Sequence, residues 1–153
     1  MLPKLQTGDS QGAAFAVFTS NHPGGDPKDE APLGSVSWHE LGTSDWASAF
    51  EFYSALFGWN KCEEMDMGDG AIYLLYGVGE QMVGGMFTKT PEMPGPHAWL
   101  YYISVPSTVA AIEKAKSLGA TLLNGPMEVP GEEWVAQLMD PQGAVFAVHS
   151  KDR

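Results

Sequence analysis

The chain has 153 residues, 44% of them hydrophobic and 18% charged, and a formal net charge of −11 at pH 7. That balance suits one globular domain of ordinary size, and its acidity argues against nucleic acid or an anionic membrane surface as partner, since both attract basic faces. Cys62 is the sole cysteine, which excludes an intrachain disulfide and a cysteine-rich metal site and leaves a passive strand thiol as the simplest reading.

In chain order, the first apolar run is DSQGAAFAVF, Asp9 to Phe18. Seven of its ten residues recur in DPQGAVFAVH, Asp140 to His149. Residues 1–20 therefore read as the last strand of a module whose remainder lies upstream, and the chain as the C-terminal part of a tandem protein. Such a strand has unpaired backbone groups and is expected to dock on its own domain or on a neighbouring chain. Residues 21–34 are rich in Pro and Gly without hydrophobic periodicity, which predicts a linker. His22 within it reads as a solvated loop residue.

From residue 35 the pattern becomes regular. VSWHELGT, Val36 to Thr43, predicts a strand. Asp45 opens a helix to about Phe57, with Trp46, Ala49, Phe50, Tyr53, Leu56 and Phe57 on one apolar stripe and Gly58 as a left-handed cap. Strands are predicted near 61–65, 71–78 and 82–89. PEMPGPH breaks the chain, and then the order repeats: a strand at Ala98–Val105, a helix from Ser107 to Leu118 stopped by Gly119, and strands at 121–129, 133–139 and 144–150.

The halves, 35–90 and 97–150, align at a constant shift that sets Trp38 on Trp99 and Gly58 on Gly119. A period of this length marks a duplicated supersecondary unit. The expected fold is α+β: paired βαβββ units forming a curved mixed sheet with a central cleft, one complete domain over 35–150. No apolar run approaches the ~20 residues of a membrane helix, and no basic start with an apolar core marks a secretory signal. The expected location is the cytoplasm.

Four segments carry a family resemblance. TSDWASAFEFYSALFGW is similar to a D-x-x-x-A-x-x-F-Y-x-x-x-F-G-W helix, VPSTVAAIEKAKSLGATLL to a second helix and strand, and GPMEVPGEEWVAQLMDPQGAVFAV to a closing hairpin with a D-P-x-G turn. The linker and SWHEL complete the pattern. Together they resemble the vicinal oxygen chelate superfamily of glyoxalase I, bleomycin-resistance proteins and extradiol dioxygenases, in particular the two-module branch related to lactoylglutathione lyase.

The resemblance implies ligands for a divalent metal on the first and last strands of each unit. Those positions hold Trp38, Leu100 (or Trp99) and Ala147, and the fourth strand, MVGGMFTK, has no Asp, Glu or His. Indole, alkyl and methyl groups are not ligands for a hard or borderline cation. The expectation is a domain with no metal and no other cofactor. His39, His97 and His149 rebuild the site only if several strand registers slip together.

Glu40 shares strand parity with Trp38, and a carboxylate among aromatic rings is a candidate general base; a carboxylate satisfied by Tyr102 or by solvent is the plainer alternative. Tyr102 and Gln137 have the parity to orient a polar ligand. Trp38, Trp99, Met86 and Trp134 form either a stacking surface or ordinary core. GVGEQMVGG joins two strands and precedes no helix, which argues against a phosphate cradle.

The leading expectation is a domain that binds a small organic molecule in a cleft lined by Trp38, Glu40, Met86, Leu100, Tyr102, Val135, Gln137 and Ala147. The alternative is a lyase or isomerase acting on a carbonyl compound, with Glu40 as base or with a non-standard metal set. A third is a structural half that pairs with an upstream module or as a homodimer.

Overall fold

A computed structural model describes residues 5–18 and 31–153, with the side chains of residues 5 and 6 not described. Most of the expected linker, including His22, lies outside the described residues. The elements are β1 (Leu5–Gly8), β2 (Ala14–Val17), β3 (Val36–Thr43), α1 (Trp46–Phe57), β4 (Asn60–Asp66), β5 (Ile72–Val78), β6 (Gln81–Thr88), β7 (Ala98–Ser104), α2 (Thr108–Ser117), β8 (Thr121–Val129), β9 (Glu133–Met139) and β10 (Val145–Ser150). From β3 onward this is the βαβββ unit used twice, an α+β fold with a mixed sheet. Among the described residues no helix is long and apolar enough to cross a membrane.

The chain divides into two compact units, Met1–Lys28 with Glu40–Trp99, and Asp29–His39 with Leu100–Arg153. In the first, the strands neighbour one another in the order β4-β5-β6-β3. α1 forms because Asp45 accepts the N–H groups of Ala47 and Ser48 at its start, and it ends at Gly58 in the left-handed region, φ 71°. Its apolar stripe buries Ala49 and Tyr53 against Leu41, Leu74, Tyr76 and Met86.

The expected single strand near the N-terminus is the second arm of a hairpin. β1 pairs antiparallel with β2, Leu5 opposite Val17. The hairpin packs on α1: Ala13 is fully buried in the first unit's core, and Phe15 sets its ring edge-on to Phe52, Tyr53 and Phe57. The Asp9 carboxylate, itself buried, accepts from the Tyr53 hydroxyl at 3.0 Å. Gln11 holds the loop before α1, accepting from Thr43 Oγ1 at 2.7 Å and Asp45 N at 2.8 Å, and donating to the Asp45 carbonyl at 2.8 Å.

In the second unit the strand order is β7-β10-β9-β8. β10 runs parallel to β7 and antiparallel to β9, which makes the sheet mixed. Ser107 caps α2 by accepting the Ala110 N–H. One sheet face buries Ala136, Leu138 and Val148 with Ile112 of α2. The opposite face gathers Tyr102, Val135 and Ala147, with Trp38, Leu100 and Val129 packed against them.

Candidate functional site

Most of the candidate residues fall on strand faces turned away from the helices, and each unit presents its own set. In the first unit, β5 and β6 pair with Tyr73 opposite Phe87, Leu74 opposite Met86 and Leu75 opposite Gly85. Opposed residues share a face, so Leu74 and Met86 point towards α1 while Tyr73, Phe87 and Gly85 point away. Glu40 joins the second group: its carboxylate accepts from the Tyr73 hydroxyl at 2.9 Å.

Gly85 makes that hydrogen bond available. A Cβ there would stand 2.2 Å from the Tyr73 ring, closer than real contacts allow. The ring lies across the bare backbone, stacked on Phe87 at 6.1 Å, and this lay brings its hydroxyl to Glu40.

Met86 is not on this face. It is fully buried in the cluster with Leu41, Tyr53 and Leu74. The reason is local: the β8–β9 ladder carries two register irregularities and the β4–β5 ladder one. A constant shift between the halves therefore transposes the faces once the helices are passed. The same cluster takes Trp99, whose Nε1 donates to Tyr53 Oη at 3.0 Å.

In the second unit the structure brings together Trp38, Leu100, Tyr102, Val135 and Ala147. Leu100, not Trp99, is therefore the first-strand counterpart of Trp38. Ala147 is fully buried, and Tyr102 and Val135 nearly so. Gln137, directly opposite Ala147 on β9, donates from Nε2 to Tyr102 Oη at 3.2 Å. The result is a largely buried apolar and aromatic cluster beside one amide–phenol hydrogen bond.

The remaining aromatic and histidine candidates are dispersed. Trp134 carries the Arg153 guanidinium 4.9 Å from its ring centroid. His39 stands edge-on to Tyr101 at 5.7 Å, and His97 Nδ1 lies 2.8 Å from the Gln11 carbonyl. His149 lies between two groups that sequence reasoning did not select, Glu133 Oε2 at 2.9 Å from Nε2 and Ser37 Oγ at 3.1 Å from Nδ1. Tyr73 was also missed. Its only signal was a strand parity shared with a glycine across the ladder.

Comparison with known proteins agrees with the fold. Residues 35–148 match the family model described as Glyoxalase/Bleomycin resistance protein/Dioxygenase superfamily. A putative glyoxylase, CFP32, of Mycobacterium bovis is 32% identical over 97% of this chain and 59% of its own length. The anthracycline biosynthesis protein DauV of a Streptomyces species is 29% identical over 77% of this chain and 47% of its own. The chain thus spans about half to three fifths of the curated relatives it matches. Streptomyces coelicolor methylmalonyl-CoA epimerase, solved with 2-nitronate-propionyl-CoA, superposes with a TM-score of 0.59 over 80% of this chain and 100% of that one, at 13% identity, a likeness of fold.

Proposed function

Because the chain belongs to the glyoxalase/bleomycin resistance protein/dioxygenase superfamily, we propose that it binds a small organic molecule without the metal that many such proteins use. The observation that carries this reading is the second unit's non-helical face, where Trp38, Leu100, Tyr102, Val135 and Ala147 surround the Gln137–Tyr102 pair. Apolar and aromatic groups supply contact area, and one fixed amide supplies orientation. A structure of this fold, the epimerase above, holds 2-nitronate-propionyl-CoA; here the ligand class rests on the residues themselves.

A divalent metal does not fit the residues at the family's ligand positions, since Trp38, Leu100 and Ala147 offer no oxygen or imidazole donor. Among the described residues no group of three or more His, Cys, Asp or Glu is placed to hold an ion. The test is a thermal-shift screen of small aromatic and carbonyl compounds against the full chain, with elemental analysis alongside. A ligand whose shift disappears in Trp38→Ala and Gln137→Ala supports the reading. A stoichiometric divalent ion whose removal abolishes binding refutes it.

The Glu40–Tyr73 pair favours a second reading, a lyase or isomerase that removes a proton beside a carbonyl. A phenol held at 2.9 Å fixes the orientation of the Glu40 carboxylate, and a positioned base contributes about 10²–10⁴-fold in rate. Exchange of the proton beside the carbonyl of a bound ligand would be followed by NMR in deuterium oxide. Its survival in Glu40→Gln disposes of this reading and leaves the binding proposal intact.

A further inference from the structure

The second unit holds a polar array that the ligand reading does not use. Ser37 on β3, His149 on β10 and Glu133 at the start of β9 come from distant points in the chain. Glu133 Oε2 lies 2.9 Å from His149 Nε2, and His149 Nδ1 lies 3.1 Å from Ser37 Oγ. The histidine and glutamate side chains are 21% and 33% exposed, so the array is held in place and still open to solvent. We propose that Ser37, His149 and Glu133 form an acyl-transfer site for esters of small carboxylic acids.

The chemistry follows from the order of the three groups. A carboxylate that accepts the Nε2–H of a neutral imidazole leaves the Nδ1 lone pair directed at the hydroxyl, the nucleophile–base–orienter order of serine hydrolases with the two ring nitrogens exchanged. The Ser37 hydroxyl donates to the Tyr102 carbonyl at 3.1 Å and has Nδ1 of His149 at the same distance, so it must turn its proton to the imidazole to react. Imidazole is much the stronger base, so attack delivers the proton there. Ser37 Oγ bonds to the acyl carbon as His149 takes its proton. The bond to the alkoxy oxygen breaks, and His149 returns the proton to the departing alcohol. Water then adds to the acyl-serine with its proton passing to His149, the carboxylic acid leaves, and the Ser37 hydroxyl is restored. Ser37 and His149 are the catalytic residues and Glu133 is a positioning residue.

A structural clamp would show the same three contacts, so the test must report reactivity. The full chain is treated with a fluorophosphonate, and the modified peptide is located by mass spectrometry. Phosphonylation at Ser37, slowed about a hundredfold in His149→Gln, is expected. Labelling slows in Glu133→Gln and recovers in the conservative Glu133→Asp, a readout that a purely structural contact would not move. Absence of the adduct at Ser37, or equal labelling in His149→Gln, overturns the proposal. Should His149→Gln fail to fold, Ser37→Cys gives a second arm in the intact array. An introduced thiol alkylated by iodoacetamide at pH 6 faster than the exposed Cys62 supports the site, and one alkylated no faster refutes it.

Discussion

The hairpins at residues 5–17 and 133–150 close on almost the same phrase, DSQGAAFAV and DPQGAVFAV, and they build the same turn. Asp9 Oδ1 accepts from Gln11 N and Ala13 N, each at 2.9 Å. Asp140 Oδ1 accepts from Gln142 N and Ala144 N at 2.8 and 2.9 Å. Gly12 and Gly143 take φ of 95° and 92°, which only glycine adopts without strain. Beyond the turn the two part. The β2 face bearing Phe15 packs on α1, while Ala14 and Ala16 are exposed. β10 is paired on both sides, and its Ala147 is fully buried among Tyr102 and Val135. Nearly identical local sequence therefore dictates the turn, and the neighbouring strands dictate what each side chain meets.

The sharpest way to break this comparison is a carboxylate at the matched alanines. Ala147→Glu buries an unpaired charge and is expected to cost about 4 kcal/mol; Ala16→Glu, at an exposed position, should stay within about 0.5 kcal/mol. Chemical denaturation of both variants checks this, and equal losses would mean that the two alanines have equivalent surroundings. Next come the turn aspartates. Asp9→Ala removes the acceptor of the Tyr53 hydroxyl proton and of a buried N–H and should cost about 3 kcal/mol, or about 6–12 °C in melting temperature. Asp140→Ala should cost about 1 kcal/mol, since it removes the turn bonds alone.

The paired glutamines sharpen the comparison further. Gln11 ties the hairpin to the loop that begins α1, whereas Gln142 is exposed. Gln11→Ala should lose about 1.5 kcal/mol and Gln142→Ala almost nothing, read from the same denaturation curves. The smallest effect concerns the cap that Gln11 braces. Hydrogen bonds from the Ser48 hydroxyl and N–H hold the Asp45 carboxyl below its ordinary range. A carboxyl lowered on folding stabilises above its unfolded pKa and loses that contribution as pH falls through the lower, folded value. Acid titration by NMR should place the Asp45 midpoint below that of a free aspartate, and Ser48→Ala should raise it.

Much of the fold was legible along the chain. Asp45, Gly58 and Ser107 stand where capping chemistry requires them, and the apolar stripe of α1 follows helical spacing. These are short-range effects, decided within a few residues. β1 was not legible, because LQTG is too short to show a period and becomes a strand by pairing with β2. Met86 was placed on the wrong face because a bulge shifts strand phase without leaving a mark in the local sequence.

The candidate site divides in the same way. Trp38, Leu100, Tyr102, Val135 and Ala147 were reached by counting along strands, since alternation repeats reliably while pairing stays regular. The reach of Tyr73 to Glu40 depends on a glycine that lies across the ladder. The array of Ser37, His149 and Glu133 depends on strands that are neighbours only once folded. The sequence by itself determined the two βαβββ units, their caps and the Asp-x-x-Gly turns, since each follows from backbone geometry and contacts a few residues apart. Tertiary structure alone decided which alanine is buried, which carboxylate meets a phenol and which serine meets a histidine, because those outcomes depend on chain segments that only folding brings side by side.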